Sequence, residues 1–147
     1  MTKGVIKEII SWIMVFVVAF LLAFLINRFV VFQVEVPSGS MENTIMTGDR
    51  VVTLRLSYLF SDPKRGDIVV FPFPDNEDVD YIKRIIGVPG DTIEIRKGIL
   101  YINEEPYEED YLNAPMVEED FGPIAVPEDS YFMMGDNRNS SADARVW

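Results

Sequence analysis

The chain of 147 residues contains neither cysteine nor histidine. Those two absences exclude a Ser-His-Asp triad, a cysteine nucleophile, a thiolate or imidazole zinc site, and any disulfide. Any chemistry must run on Ser, Thr, Tyr, Lys, Arg, Asp and Glu. Basic residues are also scarce: 13 Lys and Arg stand against 24 Asp and Glu, a net charge of −11. Residues 1–32 hold Lys3, Lys7 and Arg28 against Glu8, so nearly all of the negative charge falls on residues 33–147. Such a surface repels phosphate backbones, and nucleic acid is excluded as an expected partner. A long amphipathic helix pattern after residue 32 and internal repeats are absent too, and a chain of this length implies one domain.

Charge is missing altogether from residues 9–26, IISWIMVFVVAFLLAFLI. As a helix this run spans roughly 27 Å, close to the roughly 30 Å hydrocarbon core of a bilayer. A cleavable leader would have a shorter apolar region followed by small residues. Here the run leads into the bulky Asn27-Arg28-Phe29-Val30-Val31-Phe32, which predicts a retained single-pass anchor in the lipid bilayer. Lys3, Lys7 and the amino terminus precede it and Arg28 follows, so flanking charge places the N-terminus inside the cell. The expected division is a cytoplasmic segment 1–8, a transmembrane anchor 9–28, and an extracytoplasmic domain 29–147 in the plasma membrane.

The domain reads as mainly β. Phe32–Val36, Arg50–Leu56, Ile93–Arg96 and Tyr131–Met133 alternate apolar and polar residues with period two, and Ile68–Phe71 is a short continuous apolar run. Gly and Pro punctuate the intervals, as at Pro89-Gly90 and Gly122-Pro123. Asn103–Glu128 is acidic, contains proline and lacks clear periodicity, so it is expected to be an irregular surface excursion, although loops of that length usually hold some structure of their own.

Three segments can carry chemistry. Pro37-Ser38-Gly39-Ser40-Met41-Glu42-Asn43-Thr44 follows the first strand. A strand entering so tight a turn can present a hydroxyl beside backbone N–H groups, the parts needed for acyl transfer, but it can equally be a plain turn. In Tyr81-Ile82-Lys83-Arg84-Ile85-Ile86, a strand puts Lys83 on one face with Tyr81 and Ile85, and Arg84 on the other with Ile82 and Ile86. Apolar neighbours desolvate the Lys83 ammonium and lower its pKa, making it a usable base; the alternative is a lysine whose head snorkels into water. With histidine absent, a Ser–Lys pair is one of the few ways this chain can activate a hydroxyl. Gly135–Arg145, GDNRNSSADAR, sets two acidic and two basic residues among small polar ones. Salt bridges pinning a loop are one reading. A calcium loop on Asp136, Asn137 and Asp143 is another, opposed by the two arginines within it.

In this order, these segments resemble the motifs of bacterial type I signal peptidases. The apolar anchor precedes Pro37–Thr44, which is similar to the nucleophile motif. Gly48-Asp49-Arg50-Val51-Val52 resembles the strand motif after it, Lys64–Phe71 and Tyr81–Asp91 the general-base motif, and Gly135–Arg145 the last box. The resemblance covers nearly the whole chain, and the short form with one anchor is similar to enzymes of Gram-positive type. It implies bent antiparallel sheets with a membrane-facing apolar surface. It further implies Ser40 as nucleophile, Lys83 as general base, the Ser38 hydroxyl joining the Ser40 N–H in an oxyanion hole, and Ser141 orienting the lysine amine. Asp136, Arg138, Asp143 and Arg145 would brace the loop. No metal or cofactor is implied. The implied partners are exported preproteins with small residues before the cut.

The sequence departs from the family pattern at Asn43, where proline is usual, and at Ala144, where serine is frequent. The family commonly continues past the position of Trp147 with a glycine and a closing β segment, so the expectation is either a truncated chain or a domain that lacks an edge strand. Three rival readings stand beside this one. Self-cleaving repressors share a Ser–Lys dyad but lack such an anchor. A two-carboxylate hydrolase is allowed by composition, yet no spacing selects a pair. A catalytically silent, membrane-anchored β-domain that binds partners is the alternative outside enzymes.

Overall fold

The computed structural model describes residues 3–147, so Met1 and Thr2 of the expected N-terminal segment lie outside the described residues. The chain falls into two compact units. The first runs to Val34 and includes Val52–Ser61, and the second holds Glu35–Val51 and Asp62–Trp147.

The first unit is built on helix α1, Lys3–Phe29. The helix begins well before the expected anchor boundary at residue 9. No proline interrupts residues 3–8, and Gly4, the poorest helix former there, costs only about 1 kcal/mol. Twenty-six of its residues, Gly4–Phe29, are long and apolar enough to cross a membrane. Its large side chains are exposed all round, Phe20 at 75 %, which is the surface lipid would cover. Strand β1 (Val31–Glu35) follows at once and pairs with β2 (Arg50–Leu54). Thr53 Oγ1 donates to the Phe32 carbonyl at 3.0 Å, and the Arg55 guanidinium lies 4.5 Å from the Phe32 ring centroid.

The second unit holds two antiparallel sheets. One has the order β3-β4-β9, from Ile68–Phe73, Asn76–Gly87 and Phe132–Met134. The other has the order β7-β6-β5-β8, from Glu105–Pro106, Ile99–Ile102, Thr92–Arg96 and Phe121–Ala125. Register shifts interrupt the ladders between Pro72 and Phe73, Ile85 and Gly87, and Ile93 and Ile95. Such irregularities bend strands and raise their twist, as expected for bent sheets. The core consists of Ile86, Ile93, Ile95, Leu100, Ile102, Met116, Val126, Phe132 and Met134. Ile86 points into it from the long central strand β4, which leaves the opposite face of β4 for Lys83.

Two elements differ from the sequence-based expectation. Strand β6 lay unmarked because Ile99–Ile102 is too short and continuous to show a period; its hairpin with β5 turns at Lys97 and Gly98, both with positive φ. The acidic stretch 103–128 is not merely irregular. Its ends form β7 and β8, and the paired residue Ile124 of β8 faces Ile93 across the ladder.

Candidate active site

All three chemistry-bearing segments belong to the second unit. Ser38 is extended (φ −133°, ψ 155°), and Gly39–Met41 then forms a single 3₁₀ turn that buries Ser40 and Met41. The turn is closed by Glu42 N donating to the Gly39 carbonyl, and by Thr44 N and Ile45 N donating to the Met41 carbonyl. Asn43 has φ +84°. Proline is locked near −65° and could not adopt that angle, whereas asparagine is among the residues that tolerate it. The departure from the family pattern at this position therefore fits the local backbone.

Lys83 lies in the middle of β4, opposite Val69 of β3. Its Nζ is 2.9 Å from Ser40 Oγ, a hydrogen bond that an ammonium donates and a neutral amine accepts. Nζ also donates to the Ile82 carbonyl at 3.1 Å and stands 4.9 Å from the Tyr81 ring centroid. Tyr81 is fixed in turn by stacking on Phe73 at 4.5 Å, and Phe73 and Phe71 both meet Trp147. Lys83 is 3 % exposed and Ser40 8 %. Burial pushes the Lys83 pKa down from its ordinary value, with the Asp143 carboxylate acting against the shift. A buried amine with a lowered pKa, in hydrogen-bond contact with a hydroxyl, can take that hydroxyl's proton.

Ser38 Oγ lies 3.5 Å from Ser40 Oγ, at the outer limit of a hydrogen bond, and Ser38 is exposed. Ser141 Oγ is buried and makes no hydrogen bond. The expected contact between Ser141 and the lysine amine is therefore not formed here.

The last box folds over the turn that carries Ser40. Asn137 N–H donates to the Ser40 carbonyl at 3.0 Å, and Asn137 Nδ2 to the Gly39 carbonyl at 3.0 Å. Gly135 permits this approach, because a Cβ there would overlap Ser141 Oγ and the Ser40 carbonyl. Asp136, fully buried, accepts from Arg84 Nε at 2.8 Å and NH2 at 2.6 Å and from Thr44 Oγ1 at 2.5 Å. Arg84 NH1 also donates to the Gly66 carbonyl. Asp143, equally buried, accepts from Arg145 Nε at 2.8 Å, Arg145 NH2 at 3.0 Å and Gly135 N–H at 3.1 Å. Arg138 donates through Nε to the Gly135 carbonyl and through both terminal nitrogens to Glu109. The carboxylates that the calcium reading would use are thus each held by an arginine.

Sequence reasoning assigned no site role to Arg84, Thr44, Gly135 or Glu109, and considered Asn137 only as a cation ligand. A charge-balance signal existed for Arg84, which sits in the buried C-terminal half of its strand and needs a carboxylate, but the 52 residues separating it from Asp136 hid the partner.

A family model described as "Signal peptidase, peptidase S26" matches residues 9–147. The chain belongs to the S26 signal peptidases. Among S26 relatives, the probable signal peptidase I-2 of Synechocystis sp. is 43 % identical, over 83 % of this chain and 58 % of the relative. Signal peptidase I S of Bacillus subtilis is 41 % identical, over 95 % of this chain and 79 % of its own. The crystal structure of a signal peptidase I from Enterococcus faecalis superposes with a TM-score of 0.51 at 40 % identity, covering 58 % of this chain and 86 % of that one. The chain spans 58–64 % of the length of its Synechocystis and Leptolyngbya relatives.

Proposed function

We propose that this S26 chain is a membrane-tethered serine endopeptidase that removes signal peptides from exported preproteins. The observation that carries the proposal is the 2.9 Å contact between Ser40 Oγ and a buried Lys83 amine whose pKa is lowered. Neutral Lys83 takes the Ser40 proton as Oγ bonds to the scissile carbonyl carbon. The oxyanion is held by the Ser40 N–H and the Ser38 hydroxyl, as the family resemblance implies, with Ser38 Oγ 3.5 Å from Ser40 Oγ. Collapse breaks the C–N bond, and the Lys83 ammonium returns its proton to the leaving amine. A water then gives a proton to Lys83 as its oxygen bonds to the acyl carbon; collapse breaks the C–Oγ bond, the Lys83 ammonium returns the proton to Ser40 Oγ, and the released acid ionises to solvent.

Substrates carry small residues before the cut, as the family resemblance implies. Ser141, as the family resemblance implies, orients the amine, and its buried hydroxyl has no other hydrogen-bond partner. The N-terminal helix spans the plasma membrane once, with residues 1–8 inside and the domain outside, in keeping with Lys3 and Lys7 before the helix against Arg28 after it. Tethering keeps enzyme and membrane-bound substrate at high effective concentration.

The test is incubation of the chain in detergent micelles with an exported precursor bearing an Ala-X-Ala site, followed by N-terminal mapping of the product. A single cut after the second alanine, absent in Ser40→Ala, supports the proposal. Where the folded chain leaves the precursor intact, the assay is repeated with the C-terminus extended; continued silence supports a silent binding domain instead.

A further inference from the structure

The acidic excursion between β7 and β8 crosses the last box at three points. Glu109 takes both terminal nitrogens of Arg138, with NH1 at 2.6 Å from Oε2. Asn139 is clamped between the Pro115 carbonyl, to which its Nδ2 donates at 3.0 Å, and the Val117 N–H, which donates to its Oδ1 at 3.0 Å. Arg145 NH1 reaches Met116 Sδ, and Met116 is itself part of the core.

The first of these contacts differs in kind from the others. The Arg138 side chain is fully buried and Glu109 is 6 % exposed. Among the described residues, no other carboxylate pairs with Arg138. Burial is the largest single influence and works against the Arg138 charge, but the Glu109 hydrogen bonds, the Glu109 charge and Tyr111 together outweigh it, so the Arg138 pKa is raised. Glu109 also accepts from the Tyr111 hydroxyl at 2.6 Å, and the Tyr111 ring lies 4.1 Å below the Arg84 guanidinium. Glu109 and Tyr111 thus touch the two arginines that hold opposite sides of the box: Arg138, bonded to the Gly135 carbonyl, and Arg84, bonded to Asp136. Between those two anchor points Asn137 bonds the carbonyls of Gly39 and Ser40.

We infer that Glu109 is a positioning residue for the nucleophile. By fixing Arg138, it holds the loop whose Asn137 clamps the Ser40 turn, and the excursion is a strap that sets the Ser40–Lys83 distance. Its neighbours Glu108 and Asp110 are exposed, and among the described residues neither makes a hydrogen bond or ion pair with the box. The inference rests on the proposed function for its catalytic consequence, but its structural core can be read without catalysis. The 3.0 Å bond from Asn137 N–H to the Ser40 carbonyl is reported by amide hydrogen exchange.

The experiment is amide exchange on the full chain in micelles, unaltered and Glu109→Gln, with cleavage kinetics alongside. Exchange at Asn137 is expected to accelerate at least tenfold while amides of β5 and β6 keep their protection. Where the unaltered chain cleaves precursor, kcat is expected to fall 10- to 100-fold with KM nearly constant, the size of loss that an ångström-scale misplacement produces. Equal acceleration at Asn137 and in β5 and β6 would mean Glu109 serves only global stability, and unchanged exchange at Asn137 would mean the strap does not hold the loop; either overturns the inference. An inactive unaltered chain with the local exchange effect intact would count against the proposed function alone. Should Glu109→Gln fail to fold, Glu109→Asp keeps the charge but withdraws it by one methylene, and the same exchange outcomes decide. Glu108→Gln, as a control, is expected to leave exchange and kinetics unchanged.

Discussion

Lys83 can be tested without any substrate, through the pH dependence of stability. Replacing it with methionine removes the titrating amine while keeping an unbranched chain of similar bulk. In the unfolded chain Lys83 titrates at its ordinary value of 10.5, and in the folded chain burial sets the pKa lower. Between those two values the unfolded state binds one more proton than the folded state, so stability of the unaltered chain rises with pH across that window. Below the folded pKa both states are protonated, the contribution is flat, and the buried ammonium is a constant penalty. One proton sets the slope at no more than about 1.4 kcal/mol per pH unit. The Asp143 charge favours the ammonium and narrows the window. Urea unfolding followed by circular dichroism, at a series of pH values from neutral to strongly alkaline, gives both stability curves, and their difference isolates Lys83. Lys83→Met is expected to be the more stable at the low end, with an advantage that shrinks as pH rises. A difference that stays constant would show a solvated amine, and one that grows with pH an amine whose charge the fold favours; either refutes the desolvated base.

Substitutions at three further positions probe the braces. Arg84→Met leaves the fully buried Asp136 with Thr44 alone and is expected to cost about 3–5 kcal/mol in urea unfolding, with Arg84→Lys intermediate because it keeps the charge but not the two-pronged geometry. Gly135→Ala forces a methyl against Ser141 and the Ser40 carbonyl; it is expected to cost about 1–3 kcal/mol and to lower kcat in precursor cleavage. Asn137→Ala removes the bond to the Gly39 carbonyl, with an expected loss of about 1 kcal/mol in thermal or urea unfolding and a fall in kcat larger than any change in KM.

Much of this molecule was legible before its structure. The N-terminal helix is visible as a run of 18 uncharged, mostly apolar residues, and the strands β1, β2, β3, β5 and β9 because period-two alternation or short apolar runs between Gly and Pro mark them. The absence of histidine and cysteine left a Ser–Lys pair among the few options, the family resemblance singled out Ser40 and Lys83, and the structure sets them 2.9 Å apart. What stayed hidden were interactions whose partners lie far apart in sequence and carry no local pattern. Glu109 sits in Glu108-Glu109-Asp110, where any of three carboxylates could be solvated, and only its burial against Arg138 distinguishes it. Arg84 and Asp136 are separated by 52 residues. Strand β6 is too short to display a period, and β8 is recognised only through its pairing with β5. Ser141 is the reverse case: the family pattern assigns it to the lysine, yet its hydroxyl is without a partner.

The most direct measurement of the central claim is mass-spectrometric trapping of the acyl-enzyme. The full chain in micelles is mixed with an Ala-X-Ala peptide ester, quenched in acid within one turnover, digested and mapped. A Ser40 nucleophile activated by Lys83 predicts an acyl adduct on Ser40 in the unaltered chain and none on that timescale in Lys83→Met. An adduct on any other residue, or one that forms on Ser40 equally fast in Lys83→Met, would contradict it.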